Sequence, residues 1–543
     1  MKGKAGKTIR ILFLALLIFS IFGVREAKAM LSYMDGRLLL KGSMDEWMIL
    51  RTNIPDTEQD WHHSNISLAL ATVRFETFYT ITKSSQFQLN LQSIIRYYYE
   101  QTSKLDVGVH EALGPENRNQ FQTPSFRHDD PVNEFYFDAI SGPWIVRVGK
   151  QIVCWGETAL QRTTDVLNPM DLRYSVPGIT PFEDLKIGLW MLRTFYQTNL
   201  PGNLLWEAIF VPTDHQMFRL PPGGTGWGPA FLNKDIPNSL GNGLFPMLQE
   251  TWKEDAPSRR SLSDRQWAIR LRGETLGVDW TLQYLDWMDF LPVGRPNQVN
   301  QQTFAYFLSA VGGGNIGDFR VADRLWEYKR SQYVGATGQF SEPRLLKATI
   351  RLELAYNIGA NFNTDNYSGK SVHVPAFKDK NGTIQGPYDD TNTALLTGIT
   401  KRDTFGYGLA IDRPIMWNWL LKYTNGQKLD AQVQLFQDWI LEHSHDLVVS
   451  NRGRGDKSST SITCMLQQSL FHQELMVTWS ESYNCTGKGY NVIDLFYAPG
   501  DHWRYDAGFY SAWTSVRYFH GTSYEGSSYA DKQMVYFRLK YEW

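Results

Sequence analysis

The chain has 543 residues, of which 42% are hydrophobic, 14% aromatic and 20% charged, with 19 Trp, 27 Tyr, 30 Phe and a net charge of −2. That profile excludes a disordered or fibrous protein. After the first thirty residues no run approaches the roughly 18 consecutive apolar residues of a membrane helix, so a helical transporter is excluded as well.

At the N-terminus, Lys2, Lys4, Lys7 and Arg10 precede an apolar stretch from Ile11 to Val24, and Ala27-Lys28-Ala29 forms a small-x-small site. This is the layout of an export signal over 1–29, with cleavage expected before Met30 and one mature domain over 30–543. The mature chain then carries 48 Lys+Arg against 55 Asp+Glu, or −7, and no nucleic-acid partner is expected. Three cysteines, Cys154, Cys464 and Cys485, are too few for a disulfide scaffold, and no C-x-x-C-H or C-x-x-C pattern offers a haem or metal site.

Side chains on one face of a strand recur every second residue, whereas a helix repeats every 3.6. Alternation of strand type falls near 36–49, 64–82, 85–102, 132–140, 144–155, 187–198, 203–212, 265–275, 278–290, 328–341, 347–361, 402–413, 429–442, 459–471, 473–484, 488–498, 501–512 and 532–543. Soluble strands average about 5 to 6 residues, and a tilted strand crossing a bilayer needs about 9 to 11. The lengths favour an all-β, transmembrane antiparallel barrel of about 18 strands (16 to 18). If the chain ends in the periplasm, the long connections fall mostly outside and the short turns inside, as outer-membrane barrels require. The exceptions are 414–428, where Pro414 to Trp419 suggests a small periplasmic helix, and the short external turn 485–487.

In chain order, the first informative segment is Asn133-Glu134-Phe135-Tyr136-Phe137-Asp138, followed by Arg147-Val148-Gly149-Lys150-Gln151-Ile152-Val153-Cys154-Trp155-Gly156-Glu157 and then Asp165-Val166-Leu167-Asn168-Pro169-Met170-Asp171. These segments resemble a family of Gram-negative outer-membrane proteins of unknown function with an R-x-G-[KR]-Q-x-[VI]-x-W-G-E strand and a D-V-x-N-P-x-D turn. The likeness extends over most of the mature chain, and these residues carry its specificity; Cys154 departs from the small or polar residue expected there. The resemblance implies a porin-like barrel.

Alternation places Arg147, Gln151, Trp155 and Glu157 on the lumen face with Gly149, and Cys154 on the lipid face. Asp165 to Asp171 then lies in the third external loop, which in general porins folds inward; this step is an analogy of fold. Opposed Arg147 and Asp165, Asp171 or Glu157 at a constriction would set a size limit and a transverse field. The structural alternative is that Asn168-Pro169 is a turn capped by Asp165 or Asn168, and that Arg147 pairs with Glu134 across strands.

Further along, Arg270 and Arg272 alternate with Trp267, Ile269 and Leu271; Arg351 and Glu353 alternate with Ile350, Leu352 and Leu354; Gln432 and Gln434 alternate with Ala431, Val433 and Leu435. Inward charges of both signs suit a wet lumen. In a tight hairpin of 459–471 with 473–484, Cys464 would lie opposite residues near Trp479, leaving Cys485 out of bonding range, with Cys464 facing lipid. At the C-terminus Val535, Phe537, Leu539, Tyr541 and Trp543 point one way, and Tyr536, Arg538, Lys540 and Glu542 the other. The apolar set ends on an aromatic residue, the expected assembly signal for the outer-membrane insertion machinery. Tyr97, Tyr98, Tyr99, Trp144, Trp503, Trp513 and Trp543 sit towards strand ends, where girdle aromatics belong.

Other patterns are weaker. Glu442-His443-Ser444-His445-Asp446 has no third ligand cluster, Arg454-Gly455-Asp456 reads as a turn, and Gly312-Gly313-Gly314 lacks the Gly-Lys-Ser/Thr of a phosphate loop. No catalytic, cofactor or metal site is expected. The sequence points to a porin-like channel for small solutes or for a specific cargo, apolar cargo included, whose partners are the outer-membrane bilayer and its assembly machinery. The alternative is a docking barrel for a periplasmic or lipoprotein partner. A barrel hydrolase ranks lower, because no serine stands beside His443 or His502 in a recognisable elbow. A soluble lectin-like protein ranks with it.

Overall fold

The computed structural model describes residues 30–53, 66–100, 131–158, 162–171, 180, 182–216, 262–290, 293–294, 326–365, 372–374, 377–378, 384–385, 388–390, 396–417, 421–449, 453–454, 457–485, 488–514 and 533–543. The export segment, Gly312 to Gly314 and Gly455-Asp456 lie outside the described residues.

Eighteen strands build the wall. The first nine are β1 Leu38–Asn53, β2 Ile66–Lys83, β3 Gln88–Glu100, β4 Val132–Ser141, β5 Trp144–Gln151, β6 Leu189–Gln197, β7 Leu205–Val211, β8 Gln266–Thr275 and β9 Val278–Met288. The second nine are β10 Arg330–Glu342, β11 Ala348–Asp365, β12 Leu396–Ile415, β13 Leu429–Ile440, β14 Ser458–Leu470, β15 Leu475–Asn484, β16 Lys488–Tyr497, β17 Trp503–Thr514 and β18 Gln533–Glu542. Each pairs antiparallel with its predecessor, and β18 returns to β1 through the register Tyr541 with Met44 to Gln533 with Asn53. The eighteen strands therefore close into a barrel.

Two environments explain the alternation. Val148, Trp190, Trp206, Leu282, Val433, Ile493 and Phe537 project outward and are exposed, as an apolar band facing lipid must be. Their strand neighbours turn inward. The inner face is not uniformly wet, however: Trp47, Ile49, Leu68, Val492, Tyr510, Met534 and Tyr536 form a buried apolar cluster on β1, β2 and β16–β18.

The seam is knitted by the last residue. The Trp543 N–H donates to the Gly42 carbonyl and the Gly42 N–H to the Trp543 carbonyl, each at 3.0 Å. Its indole lies across Gly42, where any Cβ would collide with it, and edge-on to Phe75 at 6.0 Å.

All eighteen proposed strands are present, with shifted ends. β1 runs on to Asn53 and is preceded by a short paired strand, Leu31–Tyr33. β12 starts at Leu396, β5 stops at Gln151, and the short helix expected at Pro414 to Trp419 forms instead at Leu421–Thr424, because β12 keeps its pairing to β13 as far as Ile415. Cys464 lies opposite Glu481, and Trp479 opposite Leu466, so the hairpin register is two residues from the expected one. All three cysteines are free. Tyr98 turns inward and accepts a hydrogen bond from Arg96 at 2.8 Å, unlike a girdle residue.

Candidate functional site

The chain between β5 and β6 leaves the wall after Gln151 and folds into the barrel. The exit is built by the family-like residues. Gly149 has a φ of +141° and its Cα lies against β4, where a Cβ would strike the Phe135 carbonyl oxygen; only glycine fits such an approach. The Gln151 amide donates to the Met191 carbonyl at 3.0 Å, and the Ile152 N–H donates to the Glu134 carboxylate at 3.2 Å. Asn168 then closes the stem. Its carbonyl accepts from the Val153 N–H (2.8 Å), and its amide donates to the carbonyls of Gln151 (3.2 Å) and Ile187 (2.8 Å).

Below the stem lies an ion pair. Lys186 donates to Asp165 at 2.6 Å, with both side chains almost wholly buried, and Asp165 also accepts from the Trp155 N–H and from Arg162. Trp155 is 1% exposed and packs with Val153, Leu167, Leu189, Met191, Ile209 and Leu285 in an apolar cluster on the inner face. Its indole N–H donates to Glu207 at 3.1 Å, and Glu207 is gripped by Arg193 (2.6 Å) and Arg270 (2.7 Å). Arg270 also lies over the Trp155 ring at 4.9 Å, so the cation, carboxylate and indole form one satisfied unit.

The far side of the loop reaches other strands. Asp184 accepts from Arg96 on β3 at 2.7 Å and from Arg74 on β2 at 3.4 Å. Gln283 on β9 donates to the Thr164 carbonyl at 2.9 Å, and the Tyr333 hydroxyl on β10 donates to the Thr163 carbonyl at 2.7 Å. On β11, Glu353 is fully buried and accepts from the Glu157, Thr158, Thr163 and Thr164 N–H groups. The facing residues of β12 are Gly406 and Gly408, which leave room for the Thr163 side chain.

Arg147 is inward, but its partner is Asp138 (2.6 and 2.8 Å) and not Glu134, which caps the Ile152 amide instead. Gln151 is inward and fully buried. Trp155, Glu157 and Cys154 are not wall residues, because the strand ends before them and alternation no longer applies. Cys154 lies in the inward loop with Sγ 3.3 Å from Lys186 Nζ, away from the lipid face. Asp165 is enclosed in the stem, and the Asp171 N–H donates to the Leu185 carbonyl at 2.6 Å. By register Arg270, Arg272, Arg351, Glu353, Arg538 and Lys540 all face inward. Of these Arg272 is exposed, Arg351 binds Gln339 and Asp412, Arg538 binds Asp45, and Lys540 pairs with Glu542. Lys186, Arg193, Glu207 and Asp184 were not expected from the sequence. A lone carboxylate among Leu205, Ile209 and Val211 on one face of β7 was the available clue to Glu207.

A closed antiparallel wall with an oily exterior, a charged interior and a loop packed into the lumen defines a porin-like membrane β-barrel. The chain belongs to the family described as protein of unknown function (DUF1302), whose model matches residues 132–542. Its fold is similar to solved structures of OccK1 (OpdK) from Pseudomonas aeruginosa, with TM-score 0.43, 9% identity and coverage of 93% of this chain and 98% of that one. It is likewise similar to Acinetobacter baumannii OccAB3, at TM-score 0.45, 8% identity and 93% and 99% coverage. Salmonella typhi OmpF, in complex with daunomycin, matches at TM-score 0.37, 11% identity and 95% and 100% coverage. No curated protein matches the chain.

Proposed function

We propose that this protein is a passive channel of the outer membrane, through which small solutes or a specific cargo cross a lumen narrowed by the loop between β5 and β6. The observation that carries this reading is the loop itself. It is tied to β2, β3, β7, β9, β10 and β11, so it stands within the barrel and restricts the cross-section. Charged groups that keep access to the lumen include Arg272, Arg147, Arg351 and Arg538, and such groups select solutes by charge. Purified protein in planar bilayers tests this. Discrete conductance steps are expected, with a shift in cation-to-anion preference when Arg272 is replaced by Ala. A barrel that never conducts would sink the reading.

A second reading, a docking barrel for a periplasmic partner, is favoured by the short-turn rim. Leu200, Leu276 and Leu345, on the turns after β6, β8 and β10, are 60%, 98% and 87% exposed. Leu276 moreover has a φ of +54°, a left-handed conformation that disfavours a γ-branched residue over Asn or Gly. Leu276→Asp and Leu345→Asp should leave conductance intact while abolishing co-purification of a periplasmic protein with the native barrel.

A further inference from the structure

The carboxylate of Glu353 is held by the loop as a ligand is held by a receptor. Its Oε1 accepts from the Glu157 N–H (2.7 Å), the Thr158 N–H (2.8 Å) and the Thr158 hydroxyl (2.8 Å). Its Oε2 accepts from the Thr163 N–H (2.7 Å), the Thr164 N–H (2.9 Å) and the Thr164 hydroxyl (3.0 Å). Six neutral donors, all from the loop, converge on one anion. Backbone N–H groups arranged in this way bind a carboxylate through its charge and shape, whichever chain it belongs to.

The loop is also divided mechanically. Its stem is fixed by Trp155 on Glu207 and by Lys186 on Asp165. Among the described residues of the tip, the Thr164 and Thr163 carbonyls also accept hydrogen bonds from Gln283 and Tyr333 on the wall. The contacts of Glu353 are thus with the tip, separate from those that fix the stem.

We propose that the loop carries a carboxylate-binding site whose resident occupant is Glu353, and that carboxylate solutes are the ligand class that exchanges with Glu353 and releases it from the loop. This deepens the channel reading, and its consequence for permeation rests on that reading. A tethered occupant acts at an effective concentration of about millimolar or above, so a solute competes when it is comparably concentrated in the lumen.

Hydrogen–deuterium exchange of the loop, read by mass spectrometry on the detergent-purified full chain, tests the site without requiring conduction. In Glu353→Ala the amides of Glu157, Thr158, Thr163 and Thr164 should exchange about tenfold faster than in the native protein. Sodium acetate, titrated against sodium chloride at constant ionic strength, should then restore protection in the variant. Unchanged exchange in the variant, or fast exchange that acetate does not slow, overturns the proposal. Should Glu353→Ala fail to fold, Thr158→Val with Thr164→Val removes two of the six donors and leaves the wall intact. Faster exchange at the Glu157 and Thr163 amides supports the site, and unaltered exchange refutes it. A silent bilayer recording would sink the channel reading alone, since exchange reports occupancy of the cradle independently.

Discussion

At the scale of single residues, the loop is held by charges placed where water does not reach them. Lys186 and Asp165 are the extreme case, with side chains 1% and 0% exposed. Removing one partner of such a pair strands the other, which typically costs about 3 to 5 kcal/mol. Asp165→Asn should accordingly lower the temperature at which the barrel loses its fast migration on SDS gels, and Asp165→Asn with Lys186→Met should recover part of the loss. An unaltered transition in the single variant would show that Lys186 finds water. Gly149 makes the second prediction. Its positive φ and the approach of Phe135 leave no space for a methyl group, so Gly149→Ala should cost at least about 1 to 3 kcal/mol in guanidinium unfolding, from backbone strain alone. The motif strand was legible as a motif, but the role of each member was not. Spacing shows that Arg147 faces inward, yet only coordinates show that Asp138 and not Glu134 receives it.

At the scale of elements, the end of β5 decides what alternation can say. Up to Gln151 the two-residue period assigns faces correctly. Past it, Cys154, Trp155 and Glu157 belong to a chain turning inward, and a period read from sequence has no wall to refer to. The loop's contact with β12 gives a test at this scale. A Cβ at Gly408 would stand 3.4 Å from the Thr163 hydroxyl, so Thr163→Cys with Gly408→Cys should form a disulfide on mild oxidation, visible as a gel shift reversed by reductant. Conductance in chloride should be the same before and after oxidation, because the bond fixes the loop where it already lies. Failure to cross-link would place the tip elsewhere.

At the scale of the whole molecule, closure turns on the β1–β18 seam. Trp543 contributes two backbone hydrogen bonds there, and its indole fills the space above Gly42 beside Phe75. Trp543→Ala should reduce the fraction of chain recovered as heat-modifiable barrel after refolding into detergent, and Gly42→Val should do the same from the opposite strand. If both variants refold as completely as the native chain, the terminal aromatic serves recognition during assembly and contributes little to the seam. Refolding into detergent bypasses the insertion machinery, so these variants read stability of the seam apart from the expected assembly signal of Phe537, Leu539, Tyr541 and Trp543.

The amino-acid sequence by itself pointed to about 18 strands, their antiparallel order and which side of each meets lipid, because a membrane wall imposes a two-residue period on the strands that cross it. The tertiary structure alone decided where the chain leaves that wall and what it then touches. Glu353 and Glu157 lie 196 residues apart in the chain and 2.7 Å apart in space, and no local pattern encodes a contact made across a lumen. Periodicity reports the environment of a segment; partners within the barrel depend on how far round the sheet has curled when the loop arrives.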